Sequence, residues 1–378
     1  MNTKQIDYFL DESFVRNFFE LNLSNLNLSD FRILNCQTNL LKRRKSKAAI
    51  EFKLHLRYKR NDNSQHNHHR SNSSISKSIV GKWRSDGRGK EVFDLLQEIW
   101  TKGFARDDGN NYLKIYEPIA YFPDHNLMVT SKAKGVRLKE LIIKCNYDHQ
   151  TAQLVKTCIT RAAKWLARLH SLPLPINSNN RVLLSIENEE KKFNVWSKHL
   201  TDLYPDFARR VNHILSQILQ MEKSVINRRN FVILHGDFHP GNIFVDDEHN
   251  LTVIDFEQSC IFDPTFDLAY FITKLLSIKR KYKLLSLNTD ELEKLFLDRY
   301  HYYYRAAEVV SRGEAARASL EKLATFKARS YLEHLHSRYC QHLHSRNWTY
   351  YAPHKPDSID FEYWVNKAEQ SIILSNEL

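Results

Sequence analysis

Asp237, Asn242 and Asp255 are the side chains of this sequence best spaced to do chemistry together. They lie in the stretch FVILHGDFHPGNIFVDDEHNLTVIDFEQSCIFDPTFDLAY, residues 231–270. An apolar strand at 231–234 delivers His235, Gly236 and Asp237 into a loop, and Asn242 follows just before a strand at 243–245. A polar turn, 246–250, reverses the chain into a strand at 251–254 that ends on Asp255. Such a hairpin sets Asn242 and Asp255 at neighbouring strand ends, with Asp237 on the loop beside them. Two carboxylates and an amide oxygen are hard donors of the kind that Mg2+ takes together with substrate phosphates. The carboxylate not engaged with metal can orient an attacking hydroxyl and accept its proton. Phosphoryl transfer asks mainly for positioning and charge neutralisation, which this set can supply.

The spacing, D-x4-N with a further Asp thirteen residues on, matches protein-kinase-like catalytic and metal loops. The wording HGDFHPGNIFV…VIDFE…DPTFDLA resembles the aminoglycoside phosphotransferase and choline kinase-like family. The resemblance implies an α+β, two-lobed protein-kinase-like fold, with a β-rich N-lobe and a mainly helical C-lobe. It also implies ATP or GTP as donor, Mg2+ as cofactor and a small hydroxyl-bearing substrate. Carried over residue by residue, His235 and Asp237 belong to the catalytic loop, with Asp237 as the base. Asn242 and Asp255 then hold Mg2+, and Asp267 braces the loop backbone. IVGKW implies Lys82 on the α- and β-phosphates, with Glu91 as its ion-pair partner and Glu98 as the alternative. NLMVTSKAKG (126–135) stands at the hinge, where the backbone of Val129, Thr130 and Ser131 would hold the base. AAKWLARLHSL (162–172) resembles the helix before the catalytic loop.

Several positions depart from the protein-kinase pattern. No G-x-G-x-x-G lies between the first two strands; LKRRKSKA (41–48) stands there. Its cations, Arg43 and Arg44 among them, are expected to reach the phosphates with side chains where glycines would use backbone, or else to form a solvated turn. His239 occupies the place of a lysine two residues after the catalytic Asp, and Asp255 is followed by Phe-Glu. Only eleven residues separate Asp255 from Asp267, too few for a peptide-docking activation loop. A small-molecule acceptor is therefore expected.

The elements that must position these residues are legible to different degrees. Residues 7–20 read as one amphipathic helix, and 48–58 alternates as a half-buried strand with Ile50, Phe52, Leu54 and Leu56 on one face. NDNSQHNHHRSNSSISKS (61–78) reads as a solvated connection, with a metal site from His66, His68 and His69 as a minor alternative. Strands are expected at 79–83, 112–121 and 127–131, and helices at 151–171, 192–227, 266–280, 289–309 and 314–345. This divides the chain into a nucleotide-binding lobe, 1–131, and a catalytic and substrate-binding lobe, 132–378. HLHSR occurs at 334–338 and again at 342–346, and places His336, Cys340 and His344 along one helical face.

Composition narrows the partners. The five cysteines are scattered without a CxxC pair and read as free thiols in a reducing compartment. The N-terminal segment lacks the continuous apolar run of a signal peptide, and no stretch is long enough to span a bilayer, so the expected location is cytoplasmic. A formal charge of +12 favours anionic partners and, on average, slows the approach of a polycation. A pseudokinase that binds nucleotide without turnover is the second reading. A basic nucleic-acid-binding protein is the third, although no finger, helix-turn-helix or aromatic-basic sheet signature is present.

Overall fold

The computed structural model describes residues 4–44, 46–59, 74–105, 112–174, 185–228, 231–307, 314–339 and 358–377. His66, His68, His69, Cys340 and His344 lie outside the described residues. Internal contacts divide the chain into two units, Met1–Gly135 with Asp246–Ile254, and Val136–Val245 with Asp255–Leu378.

The first unit opens with α1 (Lys4–Tyr8) and α2 (Glu12–Leu21). The sequence reads as one helix here, but the Asp11 carboxylate accepts from Phe14 N at 2.8 Å and caps a second start. Next come β1 (Phe31–Arg44), β2 (Lys47–Tyr58), β3 (Ser74–Arg84), α3 (Gly89–Ile99), β4 (Leu113–Ile115), β5 (Pro118–Phe122) and β6 (Leu127–Ser131). β1, β2, β3, β6 and β5 form, in that order, a five-stranded antiparallel sheet. The alternating face of β2 is buried as the period-2 pattern requires, with Ile50, Phe52, Leu54 and Leu56 in the core. Phe9 and Phe19 pack on Phe52 edge to face. The expected single strand at 112–121 is two, β4 and β5; β4 pairs in parallel with β10 (Leu251–Val253).

The second unit is mainly helical: β7 (Val136–Arg137), α4 (Leu138–Lys144), α5 (His149–His170), α6 (Ile186–Leu203), α7 (Ala208–Arg228), β8 (Val232–Leu234), β9 (Ile243–Val245), β11 (Cys260–Phe262), α8 (Thr265–Lys281), α9 (Thr289–Ala307), α10 (Glu314–Tyr339) and α11 (Ser358–Glu377). The helix expected over 192–227 breaks at Tyr204-Pro205, where proline removes a backbone donor. Phe193, Trp196, Ile214, Leu332, Trp364 and their neighbours form a core shared by α6, α7, α10 and α11.

That core also encloses charge. Arg329 on α10 is buried with Glu189 (2.7 Å), Glu222 (2.9 Å) and Glu333 (3.0 Å) around its guanidinium. Burial raises the Glu222 carboxyl to about 7, and Arg329, shared among three carboxylates, offsets this only in part. An acid whose folded pKa is raised contributes stability that is fully present below its unfolded value and is lost as pH rises through the folded one. Between pH 4.5 and 7 this loss amounts to about 3 kcal/mol. Glu222→Gln, which stays neutral, should therefore leave Tm little changed at pH 5 and raise it by several degrees at pH 8. A Tm difference independent of pH would contradict this.

Among the described residues no helix is long and apolar enough to cross a membrane. Cys36, Cys145, Cys158 and Cys260 are free thiols, and burial pushes Cys36 and Cys260 up to about 12. Neither of these two is suited to act as a thiolate nucleophile.

Candidate active site

The loop after β8 rests on a column of aromatic rings. Trp165 of α5 stacks on Phe238 at 5.3 Å, Phe238 on Phe271 of α8 at 5.3 Å, and Phe271 on Phe296 of α9 at 4.2 Å. All four are buried, so Phe238 anchors the residue beside Asp237 in the core of the second unit. β8 pairs antiparallel with β11, Leu234 opposite Cys260. Beyond the pair, Gly236 takes φ +78°, and a Cβ there would stand 2.1 Å from the Gln258 carbonyl oxygen. Gly236→Ala should therefore displace the loop, costing about 1–3 kcal/mol of backbone strain together with most of the turnover. A variant near wild type in both Tm and activity would show that the turn tolerates a side chain.

Asp267, in the first turn of α8, is fully buried and grips this loop from below. Its Oδ2 accepts from His235 N at 2.7 Å and its Oδ1 from Gly236 N at 2.9 Å. His170, at the end of α5, places Nε2 3.3 Å from the same Oδ2, and its Nδ1 lies 2.8 Å from Tyr300 Oη on α9. A buried chain thus runs from Tyr300 through His170 and Asp267 to the loop backbone, satisfying polar groups that burial would otherwise penalise.

Asp237 and Asn242 meet directly. Asn242 Nδ2 donates to the Asp237 carbonyl oxygen at 3.0 Å and to its carboxylate Oδ2 at 3.1 Å. This fixes the amide orientation and turns the donor side of Asn242 toward Asp237, leaving its Oδ1 as the acceptor. His239 Nδ1 accepts from Gly241 N at 2.9 Å, which puts a proton on Nε2, 3.5 Å from Asp237 Oδ1. Burial pushes the Asp237 carboxyl up, but the hydrogen bond from His239, the neighbouring His239 and His235 imidazoles and the Tyr270 hydroxyl outweigh it and hold the group at about 2.

Asp255 adopts a left-handed backbone, φ +73° and ψ +55°, which Asp tolerates better than most residues, and it caps a short turn at Phe256–Gln258. That turn lies against the loop: the Phe256 ring is 4.7 Å from His235, and Ser259 Oγ donates to His235 O at 3.2 Å. The second unit therefore brings together His235, Asp237, Asn242, Asp267 and the segment that starts at Asp255. Two carboxylates and an amide oxygen fit a small hard cation by chemistry, and among the described residues no group of three or more His, Cys, Asp or Glu forms a separate metal cluster.

The other sequence candidates lie in the first unit. Lys82 is on β3, opposite Met128 of β6, with Nζ 5.3 Å over the Tyr116 ring. Glu91 is largely exposed and sits 3.8 Å from Arg88, whereas Glu98 is three-quarters buried and pairs with Lys102 at 2.5 Å. Val129, Thr130 and Ser131 are rungs of the β3–β6 ladder, and Ser131 N donates to Glu117 O at 2.9 Å. The ladder ends there, and 132–134 carry no regular structure. The basic run expected as a turn belongs mostly to the hairpin strands: Arg43 faces Ala48 and Arg44 faces Lys47, and Arg43 Nη1 lies 2.8 Å from Asp7.

Sequence reasoning missed His170, Tyr270 and Tyr300. Tyr270 follows Asp267 by one helical turn, a signal that was present; it merges with the apolar run of α8. His170 continues the buried face of α5 after Ala163 and Leu166, and a polar residue on such a face calls for a buried partner. Nothing in the chain order points to Tyr300.

Residues 120–320, just over half of the chain, match the model of the phosphotransferase enzyme family. The chain belongs to that family. Comparison with curated proteins finds no match. Among solved structures, amicoumacin kinase in complex with AMP-PNP and Ca2+ superposes with a TM-score of 0.53 at 13% identity, covering 98% of this chain and 96% of that one. A spectinomycin phosphotransferase in complex with ADP and spectinomycin gives 0.51 at 12%, covering 92% and 94%. An ethanolamine kinase from Plasmodium vivax gives 0.50 at 15%, covering 90% and 81%. These likenesses speak for the fold: the phosphotransferase has an α+β, two-lobed protein-kinase-like architecture. As a family member it is a small-molecule kinase, a transferase with an alcohol group as acceptor.

Proposed function

We propose that this phosphotransferase moves the γ-phosphoryl group of ATP to a hydroxyl of a small molecule, with Asp237 as the base and Asn242 and Asp255 as the residues that hold Mg2+. The observation that supports this most is the double donation of the Asn242 amide to Asp237 on a loop gripped by Asp267. It ties the side chain that meets the acceptor to the one whose oxygen is left for the cation. When bound, Mg2+ supplies neutralisation of the phosphate charge that builds up during transfer. Asp237 orients the acceptor hydroxyl at its carboxylate and takes the proton as the bond to phosphorus forms. With its pKa held at about 2, it is a weak proton acceptor and works chiefly by orientation. His239 Nε2–H fixes the direction of that carboxylate. Lys82 binds the α- and β-phosphates, and Glu98, better buried than Glu91, is our choice for its partner. The nucleotide base is held by backbone of 132–134, because the ladder already uses Val129 and Thr130 and Ser131 N already donates to Glu117 O. Arg43 and Arg44 lie at the hairpin end where phosphates would be covered, and Arg43 must leave Asp7 to reach them.

The domain division that accompanies this reading assigns nucleotide binding to the first unit and catalysis and acceptor binding to the second. Thermal unfolding with ATP or GTP, in Mg2+ and in EDTA, tests the reading. We expect a Tm rise with ATP that is larger in Mg2+ and smaller in Asp255→Asn. Equal shifts with and without Mg2+ would remove Asn242 and Asp255 from the cation site.

A further inference from the structure

The surroundings of Asp237 on the α8 and α10 side carry a charge pattern that bears on the acceptor. The Tyr270 ring lies 6.1 Å from that of His239, whose Nε2 is 3.5 Å from Asp237 Oδ1. One helical turn further along α8, Lys274 lays its ammonium 4.7 Å above the Tyr270 ring. Lys274 is half-buried, and among the described residues it forms no ion pair. Its charge acts on Glu333 and His334 of α10, and Glu333 in turn lies within electrostatic reach of Asp237 and Tyr270. Lys192 of α6 stands 4.9 Å over the Trp196 ring and 3.7 Å from Glu189.

A cationic acceptor, such as an amino alcohol or an amino sugar, is held by carboxylates and by aromatic faces. Here each such feature is already taken by the chain's own cations. The Tyr270 face holds Lys274, the Trp196 face holds Lys192, and Glu333 pairs with Arg329 at 3.0 Å. Lys274 rests on an aromatic face and, among the described residues, has no carboxylate in ion-pair contact, so its ammonium is the one left for an anion.

Resting on the kinase reading above, we infer that the acceptor is a hydroxyl compound bearing an anionic group, carboxylate or phosphate, held by Lys274 while its hydroxyl meets Asp237. A lysine ammonium gives a charge-assisted hydrogen bond to such a group, whereas the Tyr270 and Trp196 faces and the Glu333 carboxylate already carry cations. The net charge of +12 favours the encounter of the same class of molecule.

Matched acceptors separate the classes: sugar acids, alditols and aminoalditols on one skeleton (gluconate, glucitol, glucamine), a three-carbon series (glycerate, glycerol, serinol), and glucose 6-phosphate beside glucose. Transfer from γ-labelled ATP should favour the acids or the phosphate ester over their neutral and amine counterparts by at least tenfold in kcat/KM. Lys274→Ala should erase that preference, raising the KM of the anionic acceptor tenfold or more with the KM of ATP unchanged. Lys274→Arg should keep it within about threefold, since the charge is retained. Preference for an amine acceptor, transfer to no anionic member, or a Lys274→Ala enzyme that discriminates as before overturns the inference. Magnesium-dependent ATP hydrolysis by the wild type keeps the two readings apart. If hydrolysis persists while anionic acceptors fail, only the acceptor assignment falls; if there is no hydrolysis and no transfer, both fall.

Discussion

Asp237→Asn is expected to lower kcat by about 10³-fold, while the affinity for Mg·ATP stays within a few-fold of wild type. The asymmetry follows from the geometry. The Asp237 carboxylate is already engaged by Asn242 Nδ2 at 3.1 Å and by His239 Nε2 at 3.5 Å. An Asn in its place keeps an oxygen for one of these contacts but has no charge with which to draw the acceptor proton. Loss of both kcat and nucleotide affinity would mean that Asp237 serves the cation as well. The pH dependence is equally specific. A carboxyl held at about 2 stays ionised until pH falls through that value, so Asp237 imposes no acid limb on kcat/KM between pH 5 and 8. An acid limb with a midpoint near neutrality would assign the essential base to another group.

Asp255→Asn should be the second large loss, about 10³-fold in turnover, with the magnesium concentration for half-maximal activity raised at least tenfold. Asn is the informative substitution because it tolerates the left-handed backbone that Asp255 adopts, φ +73°, whereas alanine would add strain to the loss of charge. The turn that follows Asp255 packs on His235 through Phe256, and an Asn variant leaves that packing alone. An unchanged magnesium requirement in this variant would place the cation elsewhere.

Much of the candidate loop was legible because its residue types and its chain order coincide. His235, Asp237, Asn242 and Asp255 lie within one short stretch of chain, and the apolar runs along it mark the strands that hold them. Asp267 was legible through the wording of its motif, and its grip on His235 N and Gly236 N gives that wording a physical content. The rest depended on contacts across long sequence separations. Tyr300 reaches His170 from a helix whose own pattern, DRYHYYYR, shows no preference among its tyrosines. Lys274 and Lys192 look like ordinary solvated lysines until α6, α8 and α10 are folded together. The basic run at 42–47 left two readings open, cations over phosphates or a solvated turn; β1 runs as far as Arg44 and β2 starts at Lys47, since pairing the backbone outweighs exposed charge repulsion. Glu91 and Glu98 share a helical face closely enough that only burial separates them.

The most direct measurement is release and transfer of labelled γ-phosphate from ATP as Mg2+ is titrated, with wild type, Asp237→Asn and Asp255→Asn run side by side. The wild type should turn over with a saturable requirement for Mg2+. Asp237→Asn should bind Mg·ATP yet release almost nothing, and Asp255→Asn should regain part of its activity as Mg2+ is raised. A wild type that binds Mg·ATP but neither hydrolyses nor transfers it at any Mg2+ concentration, even with the acceptor panel present, would contradict catalysis by this loop and leave a protein that only holds nucleotide.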